Sequence, residues 1–238
     1  MTQNHQMGNI ENHVRVNDIL LSKMEKAALN WLVMRLPAWV TPDMLTFFGF
    51  LSAILIGVSY ALTNLDKNFL WLANLGFLLN WFGDSLDGTL ARHRKIERPI
   101  YGFYIDHVVD IISEVFIFLG LALSPYVDIR LGLIALIAYL CMTNLVFLIT
   151  AVEGVFKISY GKLGPTEARI IAVAANIFMY YLGNPIIHLP FGNWSLYNLV
   201  VIGVVVLLGI FFLVTALGHS FSLSKYDQAK PKYKKHIR

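Results

Sequence analysis

Six runs of apolar residues, each long enough to cross a bilayer as a helix, dominate this 238-residue chain. The hydrocarbon layer is about 30 Å thick and a helix rises about 1.5 Å per residue, so about 20 residues suffice for a crossing. The runs lie near residues 43–63, 69–91, 102–124, 130–153, 167–184 and 196–218. Links such as Asn64 to Asn68 and Pro125 to Asp128 are too short to hold a soluble domain and force consecutive helices to run antiparallel. With 57% hydrophobic and 14% charged residues, the composition excludes an ordinary soluble domain. The expected fold class is all-α integral membrane, with six transmembrane helices preceded by a cytosolic amphipathic helix.

The flanking segments complete the plan. Residues 1–17 are polar and aperiodic, which suggests a mobile N-terminal tail. Over 18–36 the apolar residues Ile19, Leu20, Met24, Ala28, Leu29 and Leu32 recur at helical spacing among Lys23, Glu25, Lys26 and Arg35. That pattern suits a helix lying in the membrane interface rather than across it. Residues 37–219 hold the six runs, and 220–238 form a basic tail. Seventeen Lys and Arg fall on one side of the expected membrane, against Lys67 and Arg130 on the other. The asymmetry places both termini in the cytosol, in a protein of a bacterial inner-membrane type. The basic tail suits contact with anionic membrane lipids, and no nucleic-acid partner is expected. Cys141 stands alone in an apolar run, which precludes a disulfide within the chain and suits a packing role. The first forty residues show no signal-peptide pattern, so insertion is expected to rely on the membrane segments themselves.

Against this apolar background, Asp84, Asp87, Asp106 and Asp110 stand out. An ionised Asp near the centre of a membrane helix costs roughly 2.5–3.5 kcal/mol even on the lenient insertion scale, so four together require a counter-charge. Asp84 and Asp87 are three apart and share a helical face with Asn80 and Ala91, while Asp106 and Asp110 are four apart. Two antiparallel helices bring the pairs to matching depth on the cytosolic side. Clustered carboxylate oxygens suit Mg²⁺ or Mn²⁺, and two such ions suit phosphoryl chemistry. Gly88 and Gly102 leave room for a ligand, Ala91 keeps the surface low, and Arg92 presents a planar cation suited to phosphate.

The string Asp84-Ser-Leu-Asp87-Gly88-Thr-Leu-Ala91-Arg92, followed by Gly102-Phe-Tyr-Ile-Asp106-His-Val-Val-Asp110, resembles the signature of the CDP-alcohol phosphotransferase family. All eight signature positions match, although the nine residues between Arg92 and Gly102 make a slightly long link. The resemblance implies transfer of a substituted phosphate from a CDP-linked donor to an alcohol hydroxyl, one of the two being a lipid, with release of CMP. It further implies that Asp84, Asp87 and Asp106 hold metal ions and that Asp110, also near a metal, is the general base. Gly88, Ala91, Arg92 and Gly102 would line the cytidine diphosphate pocket.

The substrate signals diverge. Asp106-His107 and Pro165-Thr166-Glu167 resemble the choline and ethanolamine phosphotransferase branch, and the entry Trp39-Val40-Thr41-Pro42-Asp43-Met44-Leu45-Thr46 resembles that of the branch and of the wider family, with Asp43 in place of Asn. Gly88-Thr89-Leu90-Ala91 lacks the Lys-Gln of that branch, and six spans match the compact CDP-diacylglycerol branch. Lys157, Lys162 and Arg169 are placed to hold a phosphorylated acceptor or to serve as ordinary cytosolic-loop cations. Glu114 is expected to support the site or to bond another helix. His107 lies about 100° from the Asp106 and Asp110 stripe, which suits packing. An intramembrane prenyltransferase and a carboxylate-based cation transporter are the rival classes. Neither needs the Gly88, Ala91, Arg92 and Gly102 pattern. Small apolar faces suit a homodimer.

Overall fold

The computed structural model describes residues 14–16, 22–153, 155–157, 164–190 and 192–229. A short helix, α1 (Ser22–Val33), precedes six long ones: α2 (Pro42–Leu62), α3 (Phe69–Arg94), α4 (Pro99–Ala122), α5 (Ile129–Glu153), α6 (Pro165–Leu182) and α7 (Leu196–Ala229). Of the described helices, three are long and apolar enough by length and composition to cross a membrane: Pro42–Leu62, Ile129–Val152 and Leu196–Asp227. The other long helices, α3, α4 and α6, carry Asp84, Asp87, Asp106, Asp110, Glu114 and Glu167 together with Arg169 and Asn176.

Two features depart from the all-α expectation. Val14–Val16 (β1), within the expected tail, pairs in parallel with Val155–Lys157 (β2). Ile186–Leu189 (β3) and Gly192–Ser195 (β4) form an antiparallel hairpin between α6 and α7. Both ribbons lie outside the long apolar runs from which the helices were read. The link between α3 and α4 is also shorter than the motif spacing suggests, because α3 runs on to Arg94 and α4 begins at Pro99. Lys95 takes the left-handed conformation with φ 56° and turns the chain there. α7 continues through Ala229, past the boundary placed at 219.

Proline marks three helix starts. Pro42, Pro99 and Pro165 open α2, α4 and α6, where a missing N–H is harmless and the fixed φ suits a helix. Thr41 caps α2 by accepting a bond from Met44 N at 3.3 Å, and Glu167 accepts one from Gly164 N at 3.0 Å at the start of α6.

Packing in the bundle is closest where side chains are absent. A Cβ on Gly83 of α3 would lie 2.5 Å from Gly49 N and 2.6 Å from the Leu45 carbonyl oxygen, both on α2. A Cβ on Gly120 of α4 would overlap the Gly57 backbone of α2. Small residues at such crossings allow backbones to approach where hydrophobic driving force between helices is weak. α2 thus becomes the spine against which α3 and α4 both pack. α6 lies on α3, α5 on α4, and α7 on α5.

The far end of the bundle is held by polar groups. Asn176, fully buried, accepts a bond from Tyr60 OH at 2.8 Å and donates to Asn74 Oδ1 at 2.8 Å, linking α6 to α2 and α3. Asn176 interrupts the apolar run of α6 because it serves this network. Cys141, by contrast, is exposed on α5 rather than packed inside.

The glycine crossings make a testable claim. Gly83→Ala should destabilise the detergent-solubilised protein by about 1–3 kcal/mol, the usual effect of forcing atoms into a filled interface. Gly203→Ala on α7, where a Cβ meets nothing within 4 Å, should be neutral or slightly stabilising. Thermal unfolding midpoints of the two variants check both.

Candidate active site

The crossing of α2 and α3 fixes the first carboxylate. Asp84 follows Gly83 directly, and a Cβ on Gly49 would lie only 3.2 Å from Asp84 N. One turn earlier on α3, buried Asn80 donates to the Gly49 carbonyl oxygen at 2.9 Å. Its other amide atom, Oδ1, accepts from Arg169 Nε at 2.9 Å. Arg169, on α6, then donates through Nη2 to Asp84 Oδ2 at 2.5 Å. A backbone carbonyl on α2, an amide on α3, a guanidinium on α6 and a carboxylate on α3 thus form one chain of hydrogen bonds. The last link is charge-assisted, the stronger kind.

Across from it, α4 contributes Asp106 and Asp110. Asp84, Asp106 and Asp110 each present a carboxylate oxygen, and these lie within 4.8 Å of one another. They line a cleft with Thr46, Gly49, Asn80 and Ser113. Two unit charges 4.8 Å apart repel by about 3 kcal/mol at the effective dielectric of a protein site. Three mutual repulsions exceed what Arg169 alone offsets. The donor set of hard carboxylate oxygens, with hydroxyls beside them, therefore fits Mg²⁺ or Mn²⁺.

The other site residues occupy the cleft's surroundings. Asp87 stands outside the group of three, and its Oδ2 accepts a 2.6 Å bond from Thr46 Oγ1 on α2. The same hydroxyl lies 3.2 Å from the Pro42 carbonyl oxygen, so Thr46 is held in place while it orients Asp87. Arg92 is exposed and donates to Thr89 Oγ1 at 3.2 Å. Its guanidinium lies across Gly88, where a Cβ would stand 3.2 Å from Nη1. Ala91 is half-buried, and a Cβ on Gly102 would meet nothing within 4 Å.

His107 packs as its helical phase indicates. Its ring lies 4.2 Å from that of Phe103 and 5.2 Å from that of Phe147, with Nδ1 2.6 Å from the Phe103 carbonyl oxygen. Glu114 hydrogen-bonds Tyr139 on α5, while its Oε2 is buried with no hydrogen-bond partner among the described residues. Arg169 is the main surprise, since it bonds Asp84 and Asn80 inside the bundle. Lys162 and the side chain of Lys157 lie outside the described residues. Thr46 and Asn80 had readable signals, one in the entry motif and one as a polar residue a turn before Asp84. Gly49 and Gly83 had none beyond their size.

Residues 39–219 match the family model for CDP-alcohol phosphatidyltransferase. The chain belongs to this family. Cholinephosphotransferase 1 of Gallus gallus is 31% identical over 152 residues, covering 59% of this chain and 43% of the relative. Phosphatidylinositol phosphate synthase of Cutibacterium acnes is 37% identical over 89 residues, covering 37% of this chain and 40% of the relative. The chain thus spans less than half the length of these curated relatives. The fold is similar to that of Mycobacterium tuberculosis phosphatidylinositol phosphate synthase, solved with CDP-DAG bound. The match has a TM-score of 0.53 at 21% identity and covers 82% of this chain and 91% of the other.

Residues that orient metal ligands typically alter affinity 10–100-fold when removed. If Asp87 is a metal ligand, as the motif resemblance implies, Thr46→Val should weaken Mn²⁺ binding on the order of tenfold by releasing its Oδ2. Electron paramagnetic resonance titration of the purified protein reads this directly.

Proposed function

We propose that this protein is an integral membrane phosphotransferase that moves a substituted phosphate from a CDP-linked donor to an alcohol hydroxyl and releases CMP. The observation that carries the proposal is the convergence of Asp84, Asp106 and Asp110 from two helices within 4.8 Å, inside the matched family region. In this reading α2 to α7 are six spans, with α1 in the cytosolic interface and both termini on that side.

Asp84, Asp87 and Asp106 would hold two divalent cations, with Asp110 beside them. Bound there, Mg²⁺ or Mn²⁺ supplies charge neutralisation for the diphosphate and for the departing CMP. Asp110, near the cleft floor, takes the proton from the acceptor hydroxyl as general base. Gly88, Ala91 and Gly102 would border the cytidine moiety beside the cleft, and Arg92, lying across Gly88, would serve as a cation for phosphate. Arg169 keeps Asp84 turned toward Asp106 and Asp110.

The engagement of Arg169 with Asp84 bears on the substrate. It takes one of three cations away from the role of gripping a phosphorylated acceptor, which favours an acceptor without a phosphate. The cholinephosphotransferase relatives point the same way, toward a CDP-linked head group and a lipid alcohol. The second reading, a CDP-linked lipid donor, is favoured by the fold of the neighbour that carries CDP-DAG.

A donor and acceptor screen separates them. Radiolabelled CDP-choline or CDP-ethanolamine with diacylglycerol forms one arm, and CDP-diacylglycerol with polar alcohols forms the other. The first arm is expected to give lipid product and CMP with Mn²⁺. Product only in the second arm reverses the donor assignment, and product in neither overturns the phosphotransferase reading. Asp110→Asn should lower turnover at least about 10²-fold in the productive arm, the lower range for loss of a general base. It should leave Mn²⁺-dependent donor binding measurable.

A further inference from the structure

The interfacial helix reaches the site through one side chain. Glu25 of α1 accepts three hydrogen bonds on a single oxygen, Oε1. The donors are Thr166 Oγ1 at 2.6 Å, Trp81 Nε1 at 2.9 Å and Ser85 Oγ at 3.4 Å. Trp81 and Ser85 are on α3 and Thr166 is on α6. Their sequence positions give the junction its meaning. Ser85 adjoins Asp84, Trp81 lies three residues before it, and Thr166 lies three residues before Arg169.

α1 does not need Glu25 in order to stay attached. Leu29 and Val33 are buried against Leu45, Leu86 and Leu90, an apolar seat of its own. The guanidinium of Arg94 further grips the segment after α1, donating to the carbonyl oxygens of Pro37 at 2.8 Å and Val40 at 2.5 Å. A half-buried carboxylate is a poor adhesive where leucines already serve. Among the described residues no Lys or Arg forms an ion pair with Glu25, so its charge is met by these neutral donors from two helices. Buried polar groups of this kind act best as register devices.

We propose that Glu25 is a positioning residue for the aspartate site, clamping α3 to α6 so that Arg169 holds Asp84 at the distance at which it joins Asp106 and Asp110. One contact between two helices leaves them free to pivot. Asn176 with Asn74 ties α6 to α3 at the far end, Arg169 with Asn80 and Asp84 ties them at the site, and Glu25 with Trp81, Ser85 and Thr166 adds the contact at the start of α6, on the other side of Arg169. The proposal rests on the reading of the three aspartates as a divalent-cation site.

The test uses the full chain in detergent, with Mn²⁺ affinity read by electron paramagnetic resonance in the absence of any substrate. Glu25→Ala should weaken Mn²⁺ binding on the order of tenfold, in the range found for residues that orient ligands from behind. Glu25→Gln keeps an acceptor oxygen for the three donors and should stay within about twofold of the unmodified protein, a conservative rescue that identifies the hydrogen bonds as the cause. Leu29→Ala loosens the apolar seat of α1, against which Trp81 also packs, but keeps Glu25 and its three donors, and should lower the unfolding midpoint while leaving Mn²⁺ affinity within about twofold. Unaltered affinity in Glu25→Ala overturns the proposal, as does an equal loss in Leu29→Ala. Asp84→Asn separates the underlying reading: if it binds Mn²⁺ as tightly as the unmodified protein, the cation site itself is misplaced and both claims fall.

Discussion

The backbone approach of α2 to α3 at Gly49 and Gly83 is the contact on which the rest of the site depends. Without a Cβ at Gly83, α3 settles against the Leu45 carbonyl and Gly49. Asn80 then reaches the Gly49 carbonyl, and Thr46 reaches Asp87. The second crossing, Gly57 with Gly120, brings α4 to the same spine and presents Asp106 and Asp110 opposite Asp84. Two glycine contacts on one helix thus set the spacing of carboxylates borne by two others. A shift of an ångström at either would separate the three carboxylate oxygens that lie within 4.8 Å of one another.

Electrostatics explains the remaining design. Clustered carboxylates are unfavourable in a membrane bundle unless positive charge meets them, and Arg169 meets only one directly. Removing one partner of a buried ion pair typically costs about 3–5 kcal/mol, so the pair is firm. The polar residues elsewhere follow a different logic. Tyr60, Asn74 and Asn176 bond one another and link three helices at the opposite end.

Much of this was legible in the amino-acid sequence, for definite reasons. The six runs gave six long helices because apolar length decides where a chain can sit in a bilayer, although α4 and α6 open at Pro99 and Pro165, a few residues before the runs placed near 102 and 167. The i, i+3 and i, i+4 spacing of the aspartates put each pair on one face, and the convergence of Asp84 with Asp106 and Asp110 followed. The partnership of Arg169 with Asp84 was not legible, because 85 residues separate them and only the packing of α6 on α3 brings them together. Asp87 shares a face with Asp84 yet turns to Thr46, a choice made by a neighbouring helix rather than by spacing. The two ribbons escaped notice because strands of three or four residues carry too little periodicity to read.

The central claim is that these aspartates hold the cations on which a CDP-linked donor is bound. Calorimetric titration of CMP into the purified protein, with and without Mn²⁺, tests it most directly. CMP binding is expected to require Mn²⁺ and to disappear in Asp84→Asn. CMP that binds equally well without a divalent cation, or that still binds when Asp84 is Asn, would contradict it.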